Sequence, residues 1–329
     1  MWGAFFFRGG IFHLIRLWNN LRGKRLTILL YHRVTDRNVA ALKDSLPFLF
    51  VTQRNFEKQL AFIKRRFRVI GFEELDQLAR GGTLPWNCLI ISFDDGYEDN
   101  YSIAYPILKR QALKACFFIP ANRVGIPEGK GYWWDRAYAL FQRRSETLAE
   151  RQDSEPDPLF HLYRKLGSQF FSELNSWDTQ KIESALAAHE GKATDAPNAL
   201  ELENRLLGWS QILEMAQEME FGSHTCTHPN LCAIPDKEME VEVRESRKVI
   251  EDHLARKVVS FSYPAGNHNP ATSKLVEKSG YRFAVSTRKG VNSLGERFHL
   301  RRINIWEETA ADSNGRFSQG FFAYKILGY

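Results

Sequence analysis

The 329-residue chain has few cysteines, no long apolar run and no block of like charge. Its four cysteines show no Cys-x-x-Cys spacing, so no disulfide framework is indicated, which favours a reducing compartment. No run reaches the roughly 20 apolar residues that a membrane-spanning helix requires. The lysines and arginines give a net charge of +6 but form no tract long enough to indicate nucleic-acid binding. With 43% hydrophobic residues, the chain can instead bury a large core.

Two distant motifs have side chains that complement one another chemically. Residues 92–96 read Ser-Phe-Asp-Asp-Gly and follow the apolar run 88–91, which is typical of a buried strand. Residues 222–229 read Gly-Ser-His-Thr-Cys-Thr-His-Pro and place two histidines four positions apart. Two imidazoles and one carboxylate form a catalytic-type site for a divalent metal ion, with positions left open for water and substrate. The other aspartate of the pair is then available as a base.

Each motif alone is weak evidence for a site. Adjacent aspartates before a glycine often mark only a turn, and two histidines at this spacing are usually a surface or packed pair. Both motifs, however, follow strand-like segments, and so do two further polar groups. The run 26–30 ends in Tyr-His-Arg at 31–33, and the run 258–262 ends in Tyr-Pro-Ala-Gly at 263–266. In α/β barrels, residues just past the C-terminal ends of the strands point into the mouth of the active site.

Helical and strand patterns alternate along the chain. Alternating units of this kind imply parallel strands with outer helices, so an α/β fold is expected. The predicted helices are 55–67, 101–111, 159–174, 236–254 and one that begins at Asn269-Pro270 and ends at Gly280. The predicted strands between them are 68–70, 115–119 and 282–286.

The motifs resemble those of the polysaccharide deacetylases with a NodB-type homology domain, the fourth carbohydrate esterase family. Phe-Asp-Asp-Gly at 93–96 is similar to the first family motif, His-Thr-Cys-Thr-His at 224–228 to the second, and Phe-Ser-Tyr-Pro-Ala-Gly at 261–266 to the third. The third motif has the form found in poly-N-acetylglucosamine deacetylases. The resemblance implies a distorted (β/α)7 barrel over 26–310. The stretch at about 125–208 separates the two metal-binding motifs by more than one βα unit requires, and it is interpreted as a largely helical insertion.

The resemblance also implies a role for each matching residue. Asp95, His224 and His228 would hold a divalent metal ion, with Zn²⁺ preferred over Co²⁺ or Ni²⁺. Asp94 would take the proton from the attacking water. The backbone N–H of Tyr263 would stabilise the oxyanion that develops on the N-acetyl carbonyl.

Two further catalytic residues are predicted where the sequence departs from the common family pattern. No C-terminal Leu-x-His motif is present, so His32 is expected to protonate the leaving amine, in the arrangement of the poly-N-acetylglucosamine deacetylases. The alternative is a packed histidine at a strand end. The arginine that often opens the third motif is also missing, and Arg302 is expected to orient Asp94 from another strand. A surface arginine is the equally weighted alternative for Arg302.

Other residues near the motifs leave alternatives open. Trp133 and Trp134, in the insertion, would either stack on sugar rings or anchor the insertion to the barrel, and anchoring is favoured. Asp135 would bind substrate or make a local ion pair. Cys226 is expected to be a packing residue, and His268 is expected to be a solvated loop residue rather than a metal ligand.

The two ends of the chain lie outside the predicted barrel. Residues 1–25 are basic, aromatic and amphipathic, and would lie on an anionic membrane surface or plug the closed end of the barrel. The aromatic tail 311–329 presents the same alternatives. Residues 5–7 are too short an apolar run for a signal-peptide core, so no signal peptide is recognised. We expect a cytoplasmic protein, with peripheral contact to the inner membrane face through the N-terminal segment as a further option.

The predicted function is metal-dependent hydrolysis of N-acetyl groups on a sugar of a polysaccharide or a glycan precursor. The partner is then an N-acetylated glycan and not a nucleic acid. Two alternatives stay open: another barrel metal amidohydrolase acting on a different amide, and a non-catalytic glycan-binding scaffold. A scaffold would be expected to lose its base, whereas Asp94 and all three metal ligands are present. The enzyme is therefore the preferred interpretation.

Overall fold

The computed structural model describes residues 25–37, 46–81, 84–126, 131–138, 179–190, 204–293, 295–312 and 315–327. All structural statements below concern these residues. The predicted N-terminal segment up to residue 24, the predicted helix 159–174 and most of the predicted insertion lie outside them.

The strands are the framework that positions the polar motifs. They are β1 (Leu26–Tyr31), β2 (Arg33–Thr35), β3 (Phe50–Thr52), β4 (Arg68–Val69), β5 (Cys88–Phe93), β6 (Cys116–Ile119), β7 (Glu220–Ser223), β8 (Ser260–Ser262), β9 (Phe283–Val285) and β10 (Ile303–Asn304). The main sheet has the order β10-β1-β5-β6-β7-β8-β9, with β4 also paired to β5, and all of its named pairs are parallel. A separate parallel pair joins β2 and β3.

The two ends of the main sheet meet through the segment 300–304. Next to β9, the amide of Ser286 donates to the carbonyl of Leu300 at 2.8 Å, and the amide of Leu300 donates to the carbonyl of Ala284 at 3.0 Å. A few residues further on, β10 pairs with β1. The parallel sheet therefore curls round on itself, and the predicted distorted (β/α)7 barrel is confirmed.

Helices connect and flank these strands. They are α1 (Gln53–Arg66), α2 (Phe72–Arg80), α3 (Tyr105–Gln111), α4 (Thr179–Glu190), α5 (Trp209–Met215), α6 (Asp236–Leu254), α7 (Pro270–Lys278) and α8 (Gln319–Ile326), and residues 133–138 are also helical. Within the described ranges, none of the helices has both the length and the apolar character needed to cross a membrane.

The start of α7 shows how a local signal determines a helix boundary. The side chain of Asn269 accepts hydrogen bonds from the amides of Ala271 and Thr272 at 2.9 and 3.0 Å, and Pro270 occupies the first turn. Beyond the last helical residue, Gly280 has a φ of +89°, a conformation that glycine adopts without steric cost. The predicted start and end of this helix are confirmed.

The helix α3 begins later than the predicted range 101–111. Residues Asn100–Ala104 form a π-helical turn, and the regular α-helix starts only at Tyr105. Pro106 has no amide hydrogen, so one hydrogen bond of a continuous α-helix cannot form at this point. Such π turns occur frequently at functional sites, and this one lies a few residues after the Asp-Asp motif.

The strand β5 is buried along its whole length, as expected for a parallel strand covered on both faces. Ile90 belongs to one apolar cluster with Ile28 and Phe118, whereas Ile91 belongs to the cluster that includes the outer helix α1. Because side chains alternate along a strand, Asp94 continues the face of Ile90. That face is the barrel interior, so Asp94 lies at the end of the interior core.

One end of the barrel is closed by α2. Phe72 and Leu75 of this helix belong to the interior apolar cluster. Glu220, at the start of β7, accepts hydrogen bonds from the amides of Phe72 and Glu73 at 2.6 and 3.3 Å, which caps the N-terminus of α2. The polar motifs lie at the opposite end, where the strands terminate.

The described part of the C-terminal tail packs on the barrel. The ring of Phe322 in α8 is buried and lies 5.7 Å from the ring of Phe62 in α1. The hydroxyl of Thr27 in β1 donates to the carbonyl of Ile326 at 3.4 Å. Residues 315–327 therefore contribute to the packing around the barrel, and α8 is a helix that the sequence analysis missed.

Candidate active site

All seven predicted site residues lie next to strands of the barrel. They are His32 after β1, Asp94 and Asp95 after β5, His224 and His228 after β7, Tyr263 after β8, and Arg302 just before β10. Because the strands are parallel, the six residues that follow strand ends share one edge of the sheet, and Arg302 reaches that edge through its side-chain contacts with Asp94. Contacts between the side chains decide which of them form one site.

Asp95, His224 and His228 form a compact cluster. Oδ1 of Asp95 lies 3.4 Å from Nε2 of His224 and 3.4 Å from Nε2 of His228. One ligand atom from each residue lies within 4.8 Å of the other two, and the two imidazole rings are inclined at 81°. The side chains of all three residues are at most 9% exposed. The three donor atoms are therefore close enough together to bind one metal ion.

The chemistry of the three donors suits a divalent ion. Nδ1 of His224 donates to the carbonyl of Ser262 at 2.7 Å, which turns Nε2 toward Asp95. Burial by itself lowers the pKa of His224, but the charges of Asp94 and Asp95 outweigh it and the net shift is upward. Burial and the neighbouring His224 lower the pKa of His228 to about 3, so its ring is neutral, which is the form that ligates metals. Two imidazoles and one carboxylate match the protein ligands of catalytic zinc sites.

Asp94 lies beside the cluster and forms a two-pronged ion pair with Arg302. Nη1 of Arg302 donates to Oδ1 at 2.7 Å, and Nη2 donates to Oδ2 at 2.6 Å. Arg302 is fully buried, so the alternative of a surface arginine is wrong. Burial by itself raises the pKa of Asp94, but the charge of Arg302 outweighs it and the net shift is downward. Asp94 is therefore ionised and fixed in orientation.

Ser262 connects this ion pair to the metal-ligand cluster, and the sequence analysis did not identify it. Its hydroxyl donates to Oδ2 of Asp94 at 3.0 Å and accepts from Nη2 of Arg302 at 2.9 Å. Its carbonyl is the acceptor for His224. The available signal was its place in a buried strand beside Phe261, because alternation puts this small polar side chain on the opposite, interior face.

Tyr263 does not make the predicted oxyanion contact. Its backbone N–H donates to the carbonyl of Val285 at 3.1 Å, next to the paired strands β8 and β9. Its side chain is buried, and its hydroxyl donates to the carbonyl of Phe298 at 3.1 Å. The prediction for Tyr263 is wrong because the pairing of neighbouring strands already uses this amide.

His32 follows β1 as expected, and its role as the proton donor stays a prediction. Its Nδ1 is buried and has no hydrogen-bond partner among the described residues. Burial lowers the pKa of His32, although Asp95 and Asp94 oppose that shift. The ring is therefore neutral near pH 7 and must gain a proton before it can donate one.

The two tryptophans of the predicted insertion anchor the described segment 131–138 to the barrel. Trp133 and Trp134 are 7% and 8% exposed, which leaves no open platform for a sugar ring. Nε1 of Trp134 donates to the hydroxyl of Tyr97 at 2.9 Å, and that hydroxyl donates to Asp135 at 2.8 Å. The favoured alternative for the tryptophans is confirmed, and Asp135 is a buried internal partner.

Two residues close to the motifs lie outside the donor cluster. Cys226 is buried, and burial raises the pKa of its thiol to about 12, as expected for a packing residue. His268 stacks on the ring of Tyr263 at 4.8 Å, and its Nδ1 bonds to the carbonyl of Gly266. Neither belongs to the group of possible metal ligands found among the described residues.

Comparison with known sequences identifies the family. The sequence profile of the polysaccharide deacetylases matches residues 81–145 and 170–284, which is more than half of the chain. The chain is also similar to YxkH of Bacillus subtilis (strain 168), whose name assigns it to the polysaccharide deacetylases. The two share 22% identity over 304 residues, which cover 91% of this chain and 76% of that protein.

Solved structures share the fold. The Streptococcus pyogenes deacetylase PplD, determined in complex with acetate, has a TM-score of 0.58 at 20% identity, and the match covers 87% of this chain and 94% of that one. IcaB from Ammonifex degensii has a TM-score of 0.58 at 18% identity, with 93% and 98% covered. At these identities the structures support the fold, and the family profile carries the assignment. The chain belongs to the polysaccharide deacetylase family of enzymes.

Proposed function

We propose that this enzyme removes N-acetyl groups from an N-acetylated sugar of a polysaccharide or glycan precursor, with a divalent ion held by Asp95, His224 and His228. The observation that carries the proposal is an ionised, oriented carboxylate beside a compact set of metal donors. Oδ2 of Asp94 lies 3.8 Å from Nε2 of His224. Zn²⁺ suits two imidazoles and one carboxylate, and Co²⁺ or Ni²⁺ are the alternatives.

In this proposal the residues of the chain have separate tasks. A bound divalent ion would polarise the amide carbonyl and make water more acidic. Asp94 accepts the proton of the attacking water, while Arg302 keeps the carboxylate ionised and aimed. An amide anion is too basic to leave, so the nitrogen must be protonated, and His32 is the proposed donor. Because the ring of His32 is neutral at rest, it must receive that proton during turnover.

The acetate bound in the PplD structure is the product expected of an N-deacetylase. It supports an acetyl group as the group that this chain removes. The scaffold alternative is disfavoured because the base is present and ion-paired with a buried arginine. Another metal amidohydrolase activity remains the competing outcome of the assay below.

The decisive assay measures acetate release from N-acetylglucosamine oligomers. The protein is treated with a chelator, assayed, and assayed again after Zn²⁺ or Co²⁺ is added back. Release that depends on the added ion supports the proposal. A stoichiometrically bound ion without acetate release would contradict this substrate and favour another amide. The absence of both ion binding and acetate release would contradict the metal site.

Two substitutions distinguish the role of the proposed base from that of the proposed metal ligands. Asp94→Asn is expected to bind the ion like the wild type and to lose hydrolysis, because the carboxamide cannot accept the proton. His228→Ala is expected to lose both ion binding and hydrolysis, because it removes one of three ligands. Ion content by mass spectrometry and acetate release are measured on the same samples. Retained turnover in Asp94→Asn would rule out the assigned base, and full activity in His228→Ala would rule out the ligand set.

We also propose a cytoplasmic location with peripheral contact to the inner membrane face. The basic, aromatic segment 1–25 and the net charge of +6 support attraction to an anionic surface. Cell fractionation of the full chain, with a variant that lacks residues 1–24 as the control, tests this. Recovery of the full chain outside the cytoplasm would contradict the proposed location.

A further inference from the structure

The turns that carry the metal ligands have an unusual backbone conformation. Asp95 has a φ of 75°, and Thr225 and His228 each have a φ of 69°. Residues with a Cβ atom are unfavourable in this left-handed region, and such conformations persist only where the surroundings impose them. Two of the three strained residues are themselves ligands. The contacts around these turns therefore indicate what holds the ligands in place.

Tyr132 contacts the turn of Asp95 directly. Its hydroxyl donates to the backbone carbonyl of Asp95 at 2.5 Å, and the residue is only 2% exposed. The same ring lies edge-on to the imidazole of His228, with 5.6 Å between the ring centroids. Tyr132 thus bonds to the turn of Asp95 and packs against the ring of His228.

Tyr132 is itself held in place by its neighbours. Its ring stacks parallel to that of Trp134, at 4.2 Å and 6°, and Trp134 lies 4.8 Å from the ring of His228. The guanidinium of Arg123 lies 4.6 Å from the centroid of the Tyr132 ring. The hydrogen bond from Trp134 to Tyr97 fixes the tryptophan in turn. The tyrosine is therefore a rigid support rather than a mobile side chain.

Glu242 of α6 makes the corresponding contacts with the second turn. Its Oε2 accepts hydrogen bonds from the amides of Cys226 and Thr227 at 2.8 and 3.0 Å, and its Oε1 accepts from the hydroxyl of Thr227 at 2.7 Å. Both amides lie between His224 and His228 in the sequence. Glu242 is 7% exposed, so its carboxylate is committed to this turn.

We propose that Tyr132 and Glu242 are positioning residues that hold the strained turns of Asp95 and His228 in the ligating geometry before the ion binds. The inference rests on the proposed function, because it assumes that this triad binds a divalent ion. Neither residue needs to touch the ion or the substrate. Outer contacts of this kind typically change metal affinity by about 10- to 100-fold.

The test compares two variants with two matched controls in the full chain. Tyr132→Phe removes one hydroxyl, and Glu242→Gln removes the negative charge and one acceptor. Tyr101→Phe is the control for Tyr132→Phe, because the hydroxyl of Tyr101 bonds to Glu214 on the exposed surface. Glu240→Gln, on the exposed face of the same helix as Glu242, is the control for the second. Zn²⁺ and Co²⁺ affinities are measured by chelator competition, and thermal unfolding is measured on metal-free protein.

The expected result is a 10- to 100-fold weaker affinity in Tyr132→Phe and Glu242→Gln, and wild-type affinity in both controls. A lower unfolding temperature of the metal-free variants with unchanged affinity would mean a merely structural role and would overturn the proposal. If Glu242→Gln fails to fold, Tyr132→Phe decides, because it removes a single oxygen atom. A wild type that binds no ion would overturn the proposed function and this inference with it, whereas equal affinities in all proteins would overturn the inference alone.

Discussion

At the scale of single residues, the site depends on the fixed orientation of one buried arginine. Besides its two bonds to Asp94, Arg302 donates from Nε to the carbonyl of Ser286 at 2.9 Å. These acceptors suit the planar fork of a guanidinium, which the ammonium group of lysine cannot reproduce. A buried ion pair contributes little net stability because both charges lose their hydration. The contribution expected of Arg302 is therefore to aim and ionise Asp94, the proposed base.

Arg302→Lys is expected to lower kcat by about 100-fold, because a small displacement of a catalytic group has effects of this order. The loss of the second hydrogen bond raises the pKa of Asp94, so the acid limb of the activity profile should move to higher pH. The value of kcat at saturating substrate measures the first effect, and the profile of kcat/KM against pH measures the second. Arg301→Lys is the control, since the side chain of Arg301 lies against Gly290 rather than beside Asp94. An unchanged acid limb would contradict the assigned role.

At the scale of elements, the close approach of β7 to its neighbours sets the position of the second motif. A Cβ atom on Gly222 would lie 2.4 Å from the ring of Phe118 in β6 and 2.7 Å from Oγ of Ser260 in β8. Glycine is therefore required two residues before His224, where the strand ends. The geometry of the proposed metal ligands therefore depends on this close packing inside the barrel.

Gly222→Ala is expected to lower the free energy of unfolding by about 1–3 kcal/mol, because the added methyl group overpacks the interior. Chemical denaturation measures the loss. Gly295→Ala serves as the control, since the nearest atom to its Cβ would be 4.0 Å away. Equal stability of the two variants would show that the interior can relax around the methyl group.

Asp76 attaches the closing helix α2 to the barrel. Its Oδ1 accepts from Nε of Arg282 at 3.0 Å, and its Oδ2 accepts from Nη2 of Arg80 at 2.5 Å. Burial raises the pKa of Asp76, but the two arginines outweigh burial and lower it below the usual value of 3.8. Because the folded pKa is below the unfolded one, this stabilisation is complete above the unfolded pKa and is lost as pH falls through the folded value.

Asp76→Asn is expected to be less stable than the wild type at pH 7, and the difference should shrink as the pH falls below about 4. Urea denaturation of both proteins across the pH range measures the difference. Asp252→Asn, at an exposed position of α6, controls for the loss of one negative charge. A difference that stays constant with pH would contradict the role of the ionised carboxylate.

At the scale of the whole molecule, binding of the proposed ion is expected to be coupled to folding. The ligands follow β5 and β7, two strands far apart in the sequence, so the cluster exists only in the folded barrel. An ion that binds only the folded state stabilises it by about 2.7 kcal/mol at 100 times its Kd. The unfolding temperature should therefore report the integrity of the site.

Zn²⁺ is expected to raise the unfolding temperature of the wild type and of Asp94→Asn, and to have little effect on His228→Ala. Differential scanning calorimetry of chelated samples, with and without added ion, measures the shift. The comparison separates ion binding from catalysis, because Asp94 is not a proposed ligand. An equal shift in His228→Ala would mean that the ion binds elsewhere.

Features that depend on neighbours in the sequence could be predicted from the sequence alone. The residues Asp94, Asp95, His224 and His228 were identified from short motifs after apolar runs, and their clustering follows from the shared edge of parallel strands. The start of α7 depends on Asn269 and the two amides that follow it. In each case the physical cause lies within a few residues or in a general rule of the fold.

Features that depend on distant partners were decided by the tertiary structure. Arg302 and Asp94 are 208 positions apart, so only the closed barrel shows that this arginine is buried and paired. The amide of Tyr263 is used by Val285 of the neighbouring strand, and strand pairing is not visible in the motif. Ser262 gains its role only where β8 passes the ends of β5 and β7. The sequence alone identified most of the candidate site residues, and the register and closure of the sheet determined which of them meet.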